Sequence, residues 1–167
     1  AINLLDKINL KESLSNEVFF PEKINFLDED QPITSIDSRV CCISREKLVT
    51  ILYKKFIELG GKIVFDHEYI SFDPENKILN FKNNQSYKIL HLAACDGIKS
   101  KIRDDFFDIG EPVYSGYSAW RCIGQNPHKD AYLQLSSNKH LVLYPITDLL
   151  SSFVGCIKTT NKNNESW

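Results

Sequence analysis

The stretch Ile89-Leu90-His91-Leu92-Ala93-Ala94-Cys95-Asp96-Gly97-Ile98-Lys99-Ser100-Lys101-Ile102-Arg103 decides how the fold is read. Within Ser86 to Cys95, the run Ile89 to Ala94 is nearly continuous apolar chain, the pattern of a strand buried on both faces of a parallel sheet. Asp96-Gly97 ends it, and Ile98 to Phe107 is predicted as a short helix. The carboxyl end of a buried parallel strand is where α/β sheets bind ligands. Gly97 lets the backbone turn sharply there, which puts Asp96 at the mouth of the crevice. The same Asp-Gly pair also suits a turn that caps the next helix, and the residues alone leave both readings open.

Upstream, Ser44 is a good N-cap, and Glu46 sits well in a positive first turn. Leu48, Ile51, Leu52, Phe56 and Leu59 then form an apolar stripe, and Gly60-Gly61 supplies a left-handed stop. Arg39–Ile43 and Lys62–Phe65, on either side of this helix, read as strands. Glu68–Phe72 and Ile78–Phe81 flank the turn-rich Asp73-Pro74-Glu75-Asn76 and predict a hairpin, with a further turn at Asn83-Asn84. The chain opens on a short amphipathic helix through Ile2, Leu4, Leu5, Ile8 and Leu10, followed by short strands near Ile24–Leu27 and Ile33–Ile36. From Pro112 onward the pattern is all β: Val113–Cys122, Ala131–Leu135, His140–Ile146 and Leu150–Lys158. Turn chemistry separates them at Asn126-Pro127 and Ser136-Ser137-Asn138, and the polar tail Thr159 to Ser166 is expected to fray. A shift in composition near Gly110 marks the join.

Composition narrows the function. The chain has 167 residues and a net charge of −2, which argues against a general grip on nucleic acid. It has 7 glycines, where about 12 is usual for this length, and no glycine-rich phosphate turn. It has no Met, a hint that it was cut from something longer. The 5 cysteines follow no disulfide or zinc pattern and are expected to be buried reduced thiols. His67, His91, His128 and His140 lack ligand spacing, so no metal site is expected. No G-x-S-x-G supports a hydrolase, and the carboxylates are scattered. The N-terminus is no signal peptide, and Ile89–Cys95 is far too short to span a bilayer, so a soluble cytoplasmic protein is expected, without membrane or nucleic-acid partners.

Four segments in order resemble one family. Ala94 to Arg103 resembles the G-A-D-G-x-x-S-x-h-R motif of single-component, FAD-dependent aromatic-ring monooxygenases of the para-hydroxybenzoate hydroxylase fold. Ser44-Arg45-Glu46-Lys47-Leu48 is similar to their h-R-x-x-L segment, and Tyr114-Ser115-Gly116-Tyr117-Ser118-Ala119-Trp120-Arg121 to their Y-S/T-G-Y-x-A-W-R strand. His140-Leu141-Val142-Leu143-Tyr144-Pro145 resembles their H-x-x-x-Y-P strand, and these last two point to the salicylate hydroxylase-like branch. The chain departs from the pattern at Ala94-Cys95, where the family has Gly-Ala, and it carries neither the family's initial G-x-G-x-x-G nor its final G-D motif.

The resemblance implies an α/β (α+β) fold: part of an FAD-binding βαβ-type domain plus a mostly antiparallel substrate-domain sheet. It implies a division into a helix of the FAD domain at 1–14, substrate-domain strands at 15–38, a partial FAD-binding domain at 39–110 and a partial substrate sheet at 111–167. It assigns Arg45, Asp96 and Gly97 to the cofactor, and His140 and Tyr144 to the catalytic face toward a small aromatic acid. On a strand, positions i and i+4 share a face, so both could reach one ligand; as sequence alone they are also ordinary sheet residues. The implied parent hydroxylates a phenolic acid with FAD, NAD(P)H and O2 through a flavin hydroperoxide, a reaction eased by a group that deprotonates the phenol. As a middle fragment the chain alone is expected to bind FAD weakly or not at all and to be inactive. The alternatives are a non-catalytic truncated ligand-binding module and a ubiquinone-pathway type hydroxylase.

Overall fold

The computed structural model describes residues 2–125 and 128–160. In chain order its elements are α1 (Ile2–Lys7), α2 (Lys11–Ser15), β1 (Lys23–Asp28), β2 (Gln31–Asp37), α3 (Arg45–Glu58), β3 (Tyr69–Asp73), β4 (Ile78–Phe81), β5 (Ser86–Lys88), α4 (Lys101–Phe106), β6 (Tyr117–Gln125), β7 (Ala131–Ser136), β8 (Lys139–Pro145) and β9 (Leu150–Lys158). They form two compact units, one from residues up to Gly61 and from Ser115 onward, the other Lys62–Tyr114. The architecture is mixed α/β, with one mixed sheet and one small antiparallel sheet.

The larger unit is built on a six-stranded sheet in the order β2-β1-β7-β8-β9-β6. Alternating apolar residues and tight turns give the antiparallel run β7–β8–β9–β6, as the sequence predicts. The β1–β2 hairpin joins it by a parallel pairing of β1 with β7, Ile24 opposite Ala131 through Asp28 opposite Leu135. Asp130 clips one end of that seam, accepting from Lys23 N at 3.1 Å and from Asn25 Nδ2 at 3.4 Å. Gln134 Nε2 donates to Asp30 Oδ1 at 2.9 Å at the other end. Ala131, Pro145, Ile146 and Ser151 are buried at one end of the sheet, whereas Trp120 and Ile123, on opposite faces of β6, are both exposed.

The opening helix is two short ones, because Asn9 takes a left-handed φ of 57°. The predicted α3 forms as expected. Ser44 Oγ accepts from Lys47 N at 3.3 Å, and Gly60, at φ 82°, lets the chain leave the last turn. α3 packs against α2, and Lys47 pairs with Glu17 just beyond α2.

The smaller unit holds the three-stranded antiparallel sheet β3-β4-β5 and α4. Asp73 makes the predicted first turn: its Oδ1 accepts from Glu75 N and Asn76 N, both at 3.0 Å, and its Oδ2 from Asn76 Nδ2 at 2.7 Å. These bonds hold its carboxyl below the usual range, with the Asn76 side chain the largest cause. Asn84, at φ 63°, makes the second turn.

Several expectations are corrected. Arg39–Ile43 is not a strand; it makes one bridge, Cys42 with Phe19. Lys62–Phe65 and Ile89–Cys95 are irregular rather than paired, and Leu90 is 81% exposed. A parallel strand exists only with neighbours that complete its hydrogen bonds; among the described residues neither segment joins a sheet, and Ile89 N donates to Lys77 O at 2.9 Å just before β4. The cysteines are not buried as expected: Cys95, in the unpaired Ile89–Cys95 segment, and Cys122 are exposed, and the other three are half-buried. The helix predicted from Ile98 starts at Lys101, where Ser100 caps it, and the strand predicted from Val113 starts at Tyr117 after Gly116 turns at φ 82°. The Asn126-Pro127 turn and most of the Thr159–Ser166 tail lie outside the described residues.

Replacing Ser44 by Ala removes the α3 cap and is expected to cost about 1 kcal/mol of stability, and Ser44→Gly only a few tenths. Urea unfolding of the three proteins measures the difference.

Candidate functional site

β8 carries His140, Val142 and Tyr144 on one face. Register extends that face across the sheet. His140 lies opposite Leu135 and Cys156, Val142 opposite Leu133 and Val154, and Tyr144 opposite Ser152. On β6, Ala119, Arg121 and Ile123 lie opposite Cys156, Val154 and Ser152 and so continue the same three rows. His140 and Tyr144 are about 13 Å apart along the strand, and Arg121 stands about 10 Å from Val142 across two strand spacings. The three polar groups therefore bracket a patch floored by Val142 and Val154, as a small amphipathic ligand requires. His140 and Arg121 are exposed and Tyr144 is half-buried.

The sequence reading brought together His140 and Tyr144 but missed Arg121. Its motif was visible, but which face it joins depends on the β6–β9 and β8–β9 registers. Two hollows lie elsewhere. One of about 220 Å³ is lined by Leu27, His128, Tyr132, Gln134, Leu141 and Leu143, on the opposite face of the sheet. Another of about 470 Å³, between the β1–β2 and β7–β8 turns, is ringed by Asp28, Glu29 and Asp30, whose charge disfavours an acid.

Arg45 is the first residue of α3 and is exposed. α3 makes no contact with β8, so the structure does not bring Arg45 to His140 and Tyr144. A cation in a helix's first turn runs against the helix dipole, whereas an anion bound there is favoured.

In the smaller unit, Asp96 is exposed and its Oδ1 accepts from Ser100 Oγ at 2.6 Å. That bond, foremost, holds its carboxyl below the usual range. Gly97 has φ 82°, and nothing lies within 4 Å of where a Cβ would stand, so bare backbone faces open space beside the carboxylate. An exposed carboxylate next to unobstructed backbone suits ribose hydroxyls, and in the larger unit a guanidinium such as Arg45 suits phosphate, so each by itself fits part of a flavin nucleotide in kind. Ser100, 5% exposed, also accepts from Arg103 N at 3.0 Å and so caps α4. Asp96-Gly97 turns the chain toward α4, although the cap itself is Ser100, and the parallel strand whose carboxyl end was expected to place Asp96 at a crevice is not formed. Among the described residues no group of three or more His, Cys, Asp or Glu could hold a metal ion, and no helix is long and apolar enough to cross a membrane.

No protein-family model matches the chain. Solved structures cover nearly all of it. PqsL of Pseudomonas aeruginosa, a probable FAD-dependent monooxygenase, superposes with a TM-score of 0.79 at 12% identity, over 94% of this chain and 48% of that one. The 2,6-dihydroxypyridine-3-hydroxylase of Arthrobacter nicotinovorans gives 0.76 at 17% identity, over 95% and 45%. The fold is that of FAD-dependent monooxygenases. CtdE, solved in complex with FAD, gives 0.75 at 15% identity, over 95% and 46%. A curated relative, the chloroplastic zeaxanthin epoxidase of Prunus armeniaca, is 32% identical over 95 residues, 55% of this chain and 13% of that protein. The chain thus spans about half the length of the solved structures it matches.

Tyr69 supplies a pH dependence. Burial, and next its hydrogen bond to Asp105, push its hydroxyl up from 10.0 to about 12. A folded value above the unfolded one adds stability that is present in full below pH 10.0 and is lost as pH rises toward about 12. Tyr69→Phe is expected to flatten that alkaline slope in thermal unfolding between those limits; an unchanged slope contradicts it.

Proposed function

We propose that this chain is the middle part of an FAD-dependent monooxygenase that hydroxylates a phenolic aromatic acid with NAD(P)H and O2, and that the β8 face is where the acid lies. The observation that carries the reading is the shared face of His140, Tyr144 and Arg121 in a fold common to FAD-dependent monooxygenases. Bound FAD supplies the oxygen chemistry, which no side chain can perform. The chain's own residues bind and orient. Arg121 offers a paired set of donors to the substrate carboxylate. The His140 imidazole takes or shares the phenol proton at its free ring nitrogen, and the more electron-rich ring that results is easier to oxidise. The Tyr144 side chain bounds the other end of the patch, while Val142 and Val154 give the ring a dry floor. Arg45 suits phosphate, and Asp96-Gly97, in the smaller unit, suits ribose hydroxyls.

In the full-length enzyme, His140→Ala is expected to lower substrate-dependent NAD(P)H oxidation by about 10²-fold or more. Arg121→Ala is expected to raise KM for a phenolic acid but not for the same phenol without its carboxylate. Unchanged turnover in His140→Ala and Tyr144→Phe would sink the assignment.

A further inference from the structure

We propose that Tyr69 and Asp105 are positioning residues for Asp96, holding its carboxylate toward the nucleotide through α4 and Ser100. The inference deepens the proposed function and rests on its assignment of Asp96 to the cofactor. α4 has six residues, too few to persist without packing, so whatever anchors it decides where its N-terminal turn lies. Its packing partner among the described elements is β3. Two side chains of β3 make that contact: Tyr69 Oη donates to Asp105 Oδ2 at 2.6 Å, and the Phe72 ring sits 5.8 Å from that of Phe106.

Tyr69 and Phe72 are three residues apart, which on a regular strand places them on opposite faces. Here they share one. Tyr69 lies opposite Phe81 and Ser71 opposite Asn80, so β3 carries one extra residue, a bulge at Ile70. Phe72 then lies opposite Leu79, two residues from Phe81 on β4 and on the same face. The bulge brings Tyr69 round to the helix.

From α4 the link runs back to Asp96. The Ser100 hydroxyl is used twice, accepting from Arg103 N and donating to Asp96 Oδ1, so its direction is set by the helix. Arg103 Nη1 donates to Ile98 O at 2.6 Å and closes the loop between. Lys101 Nζ adds an exposed pair with Glu68 Oε1 at 2.9 Å, just before β3, a contact of small worth. Moving α4 off Tyr69 therefore releases Ser100 and, with it, Asp96.

The test is NMR titration of the Asp96 carboxyl together with the Gly97 amide shift, in the 167-residue chain. Ser100→Ala is expected to raise the Asp96 midpoint toward the ordinary carboxylate range, and Tyr69→Phe to do so in part and to move the Gly97 amide. Asp105→Asn keeps an acceptor for Tyr69 and is expected to leave the Gly97 amide in place, while Asp105→Ala moves it; this pair stands alone should Tyr69→Phe not fold. A Ser100→Ala effect with none from Tyr69→Phe, or no difference between Asp105→Asn and Asp105→Ala, overturns the proposal. In the full-length enzyme, Tyr69→Phe and Ser100→Ala are each expected to weaken FAD binding about three- to tenfold, the worth of one hydrogen bond. If Asp96 responds in the chain while FAD affinity stays fixed in the enzyme, the positioning role stands and the assignment of Asp96 to the cofactor falls.

Discussion

The parallel seam between β1 and β7 is the contact on which the larger unit depends. It joins residues 24–28 to residues 131–135 across about a hundred positions of sequence. Closing so long a loop costs entropy before any reward returns. The reward is a ladder of five residue pairs, clipped at both ends by Asp130 and by the Gln134–Asp30 bond. With the seam made, the antiparallel run β7–β8–β9–β6 gains two further strands, and Phe26 and Ile24 extend the face that carries Val142 and Tyr144.

Local chemistry was legible in the sequence. Ser44 and Gly60 bound α3 as their types require, and Asp73 makes its turn through three hydrogen bonds that its side chain was bound to seek. The last four strands followed from their strand-rich composition and the turn residues between them. Pairing between distant segments was not legible. Nothing local says that Ile24 meets Ala131, or that Ile89–Ala94, apolar enough for a central parallel strand, has no ladder here. An apolar run specifies that a segment seeks cover; whether it becomes a strand depends on its neighbours.

The site shows the same division. That His140 and Tyr144 share a face follows from strand period alone, whereas Arg121 joins them only through two successive registers. Asp96 and Ser100 fall within one sequence motif, but the hydrogen bond between them, and the bulge that lets Tyr69 hold the helix, are visible only in the folded chain. The hollow beside Tyr132 and Leu143 came from no sequence signal, because it belongs to side chains from β1, β7 and β8 together.

The sheet has two distinct faces: one with three polar groups around an apolar floor, to which the proposed function assigns the acid, the other with a hollow. The chemistry of a phenolic acid, an anion with an acidic hydroxyl, matches Arg121 and His140 on the first. The decisive measurement is a crystal structure of the full-length protein with FAD and salicylate. The expected result is a ring against Val142 and Val154, its carboxylate on Arg121 and its hydroxyl toward His140. Salicylate seated instead between Tyr132 and Leu143, with the β8 face of His140 bare, would contradict the account.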